Sequence, residues 1–191
     1  KLVRALEKLK IPHVLAATEA RRAKYCAVEN RRQAAEYLTE ALFKSGCQRI
    51  VFIGDMSKPN HRTGSEGFIS AVSRLTKKKA VLLNAETDSV SDIVENLLKS
   101  QKRPDGLIIT GGNLPFAALP ALFNSRYRPQ LGFMTEHPNV MMLKGIGHIA
   151  SYSQFETGKN AFDLLSEVVR NADAKPKTVY TKSEIITPVS R

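Results

Sequence analysis

The feature that most constrains the fold is a regular alternation of short apolar strands with amphipathic helices. Ile50–Ile53 is an apolar run bounded by Gly46 and by Gly54-Asp55, a pattern typical of a strand buried on both faces. Apolar residues at helical spacing follow near 64–75. Further strands are predicted at 25–28, 80–83, 106–110 and 131–134, and further helices at 31–44, 91–98, 114–123 and 154–171. This alternation predicts an α/β protein, with a parallel sheet covered by helices on both faces.

Four weaker patterns complete the prediction. Ile11–Ala16 is expected to be a strand, and 140–143 has the composition of one. Pro120 is expected to end or kink its helix, because a proline lacks the N–H that continues the hydrogen-bond ladder. The segment 146–152 is expected to cross to another part of the molecule.

Composition and charge narrow the class of protein. Hydrophobic content of 42% and charged content of 25% are those of a globular domain. No apolar run approaches the roughly 20 residues that span a bilayer. The net charge of +11 attracts phosphates, nucleic acid or anionic membrane. Its densest runs, Arg21–Lys24 and Lys77–Lys79, lie in predicted connections without interleaved aromatic residues, which favours a solvated surface over a nucleic-acid platform.

Catalytic and metal-binding motifs are not recognisable in the sequence. Cys26 and Cys47 lack C-x-x-C spacing, which predicts reduced, packed thiols. The histidines are too scattered for a metal site: His13, His61, His137 and His148. We find no nucleophile elbow, P-loop, dinucleotide fingerprint or paired catalytic carboxylates. The sequence therefore predicts neither an enzyme nor a protein with a cofactor.

A polar, basic segment follows the central predicted strand. Lys58, Asn60, His61 and Arg62 lie between that strand and the next helix, in what the pattern predicts to be a loop. Ligands of open α/β sheets bind beyond the carboxyl ends of the strands, where helix N-termini present free N–H groups. The segment is therefore a candidate wall of a ligand site. The alternative is an ordinary connection that carries solvated charges.

Short motifs in a fixed order suggest a known family. They are Ile11–Val14 (resembling I-P-V-V), Val28–Asn30 (V-D-N), Gly67-Phe68 (G-F), Arg103–Gly106 (R-P-D-A), Gly112-Asn113 (N-D or G-D), Gly132-Phe133 (G-F-D-D) and Gln154 with Gly158 and Ala161 (Q-x-x-x-x-G-x-x-A). In this order they resemble the effector-binding domain of LacI/GalR-type transcription regulators, whose fold is shared with periplasmic sugar-binding proteins. The resemblance covers the later two-thirds of a family member, without a counterpart of its helix-turn-helix headpiece.

The resemblance implies a periplasmic-binding-protein-like fold, with two parallel-sheet α/β subdomains and a ligand cleft between them. It assigns residues 1–28 and 148–172 to a partial N-terminal subdomain, and residues 29–147 and 173–191 to the C-terminal subdomain. Crossings of the chain are then expected near 28–30, 147–149 and 172–175.

The resemblance also implies a function. The chain is expected to be the effector-sensing and dimerisation domain of a cytoplasmic, DNA-binding repressor. Its implied partners are a small metabolite such as a sugar or sugar phosphate, a second copy of the chain in a homodimer, and operator DNA through a headpiece not in this chain; no membrane contact is implied. The alternative is a solute-binding protein of a transport system, which shares the fold.

The implied ligand-binding residues depart from the family's pattern. They are Lys58, Asn60, His61, Arg62, Asn113, Met134 and Thr135. Gly64 stands where the family has an arginine, Asn113 stands at an acidic position, and Met134 replaces the first Asp of G-F-D-D. Charged groups make hydrogen bonds about twice as strong as neutral ones, so their loss changes recognition. Either the effector is anionic and is held by the basic segment, or the cleft has become structural. Asn113 is equally suited to be a helix N-cap.

Overall fold

The chain forms two compact units in the computed structural model, which describes residues 2–17, 23–136, 140–171 and 173–187. The described helices are α1 (Leu2–Lys8), α2 (Arg31–Lys44), α3 (Pro59–Leu75), α4 (Val90–Lys99), α5 (Leu114–Asn124) and α6 (Gln154–Arg170), and a 3-10 helix covers Val140–Leu143. The described strands are β1 (Leu15–Ala16), β2 (Tyr25–Glu29), β3 (Ile50–Gly54), β4 (Val81–Asn84), β5 (Gly106–Thr110), β6 (Gln130–Thr135), β7 (His148–Ser151), β8 (Lys177–Thr181) and β9 (Glu184–Ile186). Of these helices, none is both long and apolar enough to cross a membrane.

The smaller unit contains the described residues of Lys1–Asn30 and Tyr152–Ser183. Its three strands form a parallel sheet in the order β1-β2-β8, and α6 packs against all of them. Ser153 caps α6, since its hydroxyl oxygen accepts the Glu156 N–H at 3.1 Å. The cap and the buried side chain of Leu164 fix the helix on this small sheet.

The larger unit contains the described residues of Arg31–Ser151 and Glu184–Arg191. Its six strands run in the order β4-β3-β5-β6-β7-β9, all parallel except β9, which is antiparallel to β7. Alternate residues of β3 point to opposite faces. Phe52 stacks on Phe68 of α3, whereas Val51 and Ile53 belong to the core built with α4 and α5. Helices therefore cover both faces, as the sequence predicts.

The polar segment after β3 is helical rather than a loop. Helix α3 begins at Pro59, with Lys58 at its N-cap in an extended conformation. Proline suits the first turn of a helix, because its missing N–H would have no intrahelical partner there. The predicted start near Gly64 is therefore about one turn too late, and Asn60, His61 and Arg62 lie in the first turn of α3.

Three other local predictions differ from the structure. Only Leu15 and Ala16 of the predicted strand 11–16 find a partner strand. The segment 140–143 is a 3-10 helix because its burial follows a spacing of three: Leu143 is buried and Val140 packs on the same core, whereas Met141 and Met142 are exposed. Pro120 does not end its helix, because α5 continues to Asn124; the proline removes one backbone hydrogen bond, but its neighbours Ala118, Ala121 and Leu122 are buried.

The boundaries of the two units differ from those that the resemblance implied. The first crossing falls at 30–31, beside the expected position. The second falls at 151–152, since β7 pairs with β6 and therefore belongs to the larger sheet. The third falls at 183–184, because β8 pairs with β2 in the smaller sheet. Strand β7 thus belongs to the larger unit and strand β8 to the smaller unit, whereas the resemblance implied the reverse.

Candidate functional site

The candidate site lies at the carboxyl edge of the six-stranded sheet, within the larger unit. Polar residues stand where successive strands end: Asp55 after β3, Asn84 in β4, Thr110 in β5, Thr135 in β6 and Glu136 after it. Because these strands are parallel, their carboxyl ends meet at one edge of the sheet. Helices α3 and α5 begin at the same edge. The region combines side-chain donors and acceptors with two helix N-termini, as sites for small polar ligands do.

Asp55 organises the turn from β3 into α3. One of its carboxylate oxygens accepts the Ser57 N–H at 3.0 Å and the Ser57 hydroxyl at 2.5 Å. The other oxygen lies 3.3 Å from Lys58 Nζ. The hydrogen bond from the Ser57 hydroxyl contributes most to holding the pKa of Asp55 below its ordinary value, and the Ser57 N–H and Lys58 act in the same direction. Asn84 fixes the same turn from β4, since its side-chain oxygen accepts the Met56 N–H at 2.7 Å.

His61 points inward from the first turn of α3 and is only 3% exposed. Its Nδ1 accepts the Asp55 N–H at 2.9 Å, so the neutral imidazole carries its proton on Nε2. Burial, with the nearby positive charges of Arg31 and Lys58, lowers the pKa of His61 to about 4, although Asp55 and Glu136 oppose the shift. His61 is therefore a neutral, hydrogen-bonding residue near pH 7 and adds no positive charge to the basic segment.

The end of β5 approaches His61 closely. A Cβ placed on Gly111 would lie 2.8 Å from His61 Cε1, and Gly111 has φ +129°. Both the left-handed conformation and the contact favour glycine at this position. The imidazole is thus held between the Asp55 N–H directly after β3 and the backbone of Gly111 directly after β5.

The state of His61 gives a prediction for pH dependence. The folded-state pKa of about 4 lies below the ordinary value of 6.5, so between these values the unfolded chain binds the extra proton. The free energy of unfolding should therefore fall as the pH is lowered from about 6.5 to about 4, and this group should have no effect above that range. The slope should reach about 1 kcal/mol per pH unit, below the one-proton limit of about 1.4. Urea unfolding at a series of pH values measures it.

His61→Asn is the matched variant, because the asparagine oxygen takes the place of Nδ1 as acceptor for the Asp55 N–H. The pKa of His148 is also lowered by burial, and this contribution remains in both proteins. The difference in slope between wild type and variant therefore reports His61. Identical slopes would show that His61 is already protonated in the folded protein at mildly acidic pH.

The cations of the basic segment are engaged within the segment itself. Arg62 Nη1 donates to the carbonyl oxygens of Met56 at 2.9 Å and of Ser57 at 3.0 Å, which closes the turn before α3. Lys58 faces Asp55, and the side-chain oxygen of Asn60 accepts the His61 N–H at 3.0 Å. The four predicted residues therefore lie together, but their polar groups make contacts within the turn itself.

Asn113 occupies the N-cap position of α5 after β5, as one of the two interpretations predicts. Its backbone is in the αR region, and within the described chain its side chain makes no capping hydrogen bond. The side chain is exposed at the carboxyl edge. Near it, the Thr110 hydroxyl is fully buried and has no hydrogen-bond partner among the described residues. Asn113 is thus exposed at this edge, with a side-chain amide that is not used as a cap.

Met134 and Thr135 are both buried. A Cβ on Gly64 would lie 3.2 Å from Met134 Cε and 3.4 Å from Phe52 Cζ, so a longer side chain at position 64 would displace Met134. The two departures at 64 and 134 therefore belong to one packing contact between α3 and β6. The Thr135 hydroxyl donates to the Gly112 carbonyl at 3.2 Å, which ties the end of β6 to the start of α5.

An ion pair that the sequence analysis missed completes the edge. Arg31 is the first residue of α2 and is almost fully buried, and its Nη2 lies 3.1 Å from Glu136 Oε2. The available signal was the position of Glu136, two residues after the end of a predicted strand. Asp55 has the same position after the predicted strand 50–53. As for metals, no group of three or more histidine, cysteine or acidic residues gathers within the described ranges.

The fold of this chain was compared with those of known proteins. No family model matches the chain, and no curated protein matches its sequence. Solved structures do match: a regulatory protein of the LacI family from Chloroflexus aggregans has a TM-score of 0.82 at 14% identity, over 97% of this chain and 71% of its own. The Cra transcriptional dual regulator from Pseudomonas putida, in complex with fructose 1-phosphate, has a TM-score of 0.79 at 16% identity, over 98% and 72%.

A LacI family transcriptional regulator from Enterococcus faecium, with bound ribose, also matches with a TM-score of 0.79 at 15% identity, over 98% of this chain and 74% of its own. The chain therefore has the periplasmic-binding-protein-like α/β fold of LacI-type regulators. The fold that the motif resemblance predicted is confirmed.

Proposed function

We propose that this chain is the effector-sensing and dimerisation domain of a LacI-type transcriptional regulator. The observation that carries the proposal is the fold match to three such regulators over at least 97% of the chain. The polar cluster at the carboxyl edge of the larger sheet supports it, because open α/β sheets bind their ligands there. The effector shifts the regulator between two states by binding one of them more tightly.

We propose further that the effector is sugar-like, with several hydroxyl groups. The carboxylates of Asp55 and Glu136 and the amide of Asn113 supply acceptors and donors for hydroxyls. The contacts argue against an anion held by the basic segment, since His61 is neutral and Arg62 is bound to backbone carbonyls. A sugar phosphate is the second candidate, because the N-termini of α3 and α5 offer N–H groups to a phosphate.

Effector binding is tested by measuring the thermal stability of the protein with a panel of small molecules. Thermal unfolding is followed with sugars, sugar phosphates, polyols, nucleobases and organic acids. A ligand at about 100 times its dissociation constant adds about 2.7 kcal/mol, which corresponds to a rise of roughly 5–10 °C for a chain of this size. We expect neutral sugars to give the largest rise. A response to simple organic acids alone would instead favour the basic segment as the binding element.

Asn113→Ala gives the site-specific prediction. Loss of the amide should weaken binding of the active sugar about tenfold, or about 1.4 kcal/mol, and should leave the unliganded protein as stable as before, since the side chain is exposed and caps nothing in the described chain. Asn124→Ala at the other end of α5 is the matched control and should bind normally. Equal binding by both variants would show that Asn113 does not contact the sugar. If no compound of the panel raises the melting temperature of the folded wild-type protein, the candidate site has a structural role and does not bind an effector.

The regulatory role has a separate test. A helix-turn-helix in the coding sequence ahead of this segment supports the regulator, whereas a secretory or lipoprotein signal there supports the alternative, a solute-binding protein of a transport system. Sedimentation velocity tests the homodimer, which should have twice the 21.1 kDa mass of the chain. A strictly monomeric protein at high concentration would contradict dimerisation through this domain.

A further inference from the structure

The amino edge of the six-stranded sheet collects positive charge. The connections that enter β3, β4, β5, β6 and β7 all lie at this edge, because these strands are parallel. Their cations are Arg49, Lys77, Lys78, Lys79, Lys102, Arg103, Arg126, Arg128 and Lys144. Against these nine cations, the segments that directly precede the five strands (45–49, 76–80, 100–105, 125–129 and 144–147, all described) contain one carboxylate, that of Asp105. Much of the net charge of +11 is therefore gathered opposite the candidate effector site.

A cavity of about 380 Å³ opens at this edge, beside the starts of β3 and β4. Apolar side chains form part of its wall, among them Phe43 of α2, Ile50 of β3 and Val72 of α3. Small-molecule sites in proteins typically measure about 300–1,000 Å³ and have mostly apolar walls. The cavity is thus large enough for a small ring or a short hydrocarbon chain.

Arg49, Lys78 and Lys79 also line the cavity. The Lys78 ammonium donates to the Gln48 carbonyl at 3.1 Å, which holds it beside the cavity. None of these three cations takes part in an ion pair within the described parts of the chain. The nearby carboxylate of Asp105 is already satisfied, because it accepts the N–H groups of Gln48 and Arg49 at 2.8 Å each. Three cations against one nearby carboxylate leave a net positive charge, so the cavity combines apolar walls with an excess of positive charge.

These three cations are not explained as partners of the negative C-terminal ends of helices. A cation in the last turn of a helix stabilises the negative C-terminal end, and the effect falls off beyond that turn. Helices α2 and α3 already have Lys44 and Arg74 in their last turns. Lys78 and Lys79 follow the C-cap residue Thr76 and lie outside the helix.

We propose that this amino-edge cavity binds a small organic anion, in which a phosphate or carboxylate group is carried by an apolar body. The apolar walls take the body, and the three cations take the anionic group through charge-assisted hydrogen bonds. The site is separate from the candidate effector site, since the two lie at opposite ends of five-residue strands, about 16 Å apart. This proposal does not depend on the identity of the effector.

The test is a titration of the whole chain with phenyl phosphate, followed by ¹H–¹⁵N NMR. The amides of Gln48, Lys78 and Val81 should shift, with binding at least tenfold tighter than that of inorganic phosphate or of phenol, because each of those lacks one half of the recognised structure. Phenylacetate in a parallel titration distinguishes a carboxylate ligand from a phosphate ligand. Amides that do not move at about 10 mM phenyl phosphate or phenylacetate, a concentration at which even weak specific sites fill, would overturn the proposal.

Paired variants separate the cavity from the net charge. Lys78→Gln with Lys79→Gln should weaken binding of phenyl phosphate at least tenfold. Lys159→Gln with Lys175→Gln removes the same charge from exposed positions of the smaller unit and should change binding less than twofold. Equal weakening in both variants would assign the binding to net charge and overturn the proposal. Thermal unfolding verifies that both variants are folded.

Discussion

Gly67→Ala is expected to lower the free energy of unfolding by about 3 kcal/mol or more, the upper end of the cost of overpacking a core. A Cβ on Gly67 would lie 2.1 Å from the backbone oxygen of Arg32, so helices α2 and α3 would have to separate. A backbone carbonyl has no rotamer by which to escape the contact, and these two helices together cover one face of the larger sheet. Urea unfolding measures the loss, which should lower the melting temperature by roughly 6–12 °C.

Gly158→Ala is the control of opposite sign. Gly158 also lies inside a helix, α6, but it is exposed and a Cβ there would meet nothing within 4 Å. The same substitution should therefore stabilise the protein by about 0.5–1 kcal/mol, since alanine loses less backbone entropy in a helix. Equal effects of the two variants would show that α2 and α3 are less closely packed than the structure has them.

Phe52→Ala should have the second large effect, a loss of about 3–5 kcal/mol. The ring is fully buried, its centroid lies 5.4 Å from that of Phe68, and its edge lies beneath Gly64. It is therefore the side chain of β3 on which α3 rests, and its removal leaves a cavity under the first turns of the helix. Calorimetry or urea unfolding measures the loss.

The effect of Phe52→Ala should extend to the candidate site. His61 and Arg62 lie in the first turn of α3, so a helix that settles into the cavity moves them. Phe123→Ala is the control: Phe123 is 56% exposed and its loss should cost no more than about 0.5 kcal/mol. A small effect of Phe52→Ala would mean that α3 is positioned mainly by its contacts with α2.

Two of the three departures from the LacI/GalR-type motifs, those at positions 64 and 134, belong to one packing contact. Gly64 and Met134 are in contact, so an arginine at position 64 and a methionine at position 134 do not fit together. The polar functions at this edge now come from the neutral His61 and from Asp55, Asn113 and Glu136. This arrangement is the reason for proposing an effector that is recognised through hydroxyl groups rather than through a full negative charge.

The sequence alone determined the order of strands and helices and the fold class. The runs 50–53 and 106–110 are apolar throughout, and helix 31–44 has its apolar residues at a spacing of three and four, so local patterns suffice to define these elements. The ordered motifs then led to the correct fold. Some local signals were misread, and the start of α3 is the clearest case: Pro59 begins the helix, and the proline itself was the clue.

Only the tertiary structure decided which strands pair, which charges meet and which side chains are buried. Tyr25 pairs with Lys177 and Gly132 pairs with His148, partners that lie far apart in the chain. The same holds for the pair of Arg31 with Glu136. Likewise, His61 is neutral because surrounding elements bury it, and the amino-edge cavity exists because parallel strands bring separate connections together. Periodicity reports what each segment does locally, whereas burial and electrostatics depend on neighbours that the local sequence does not contain.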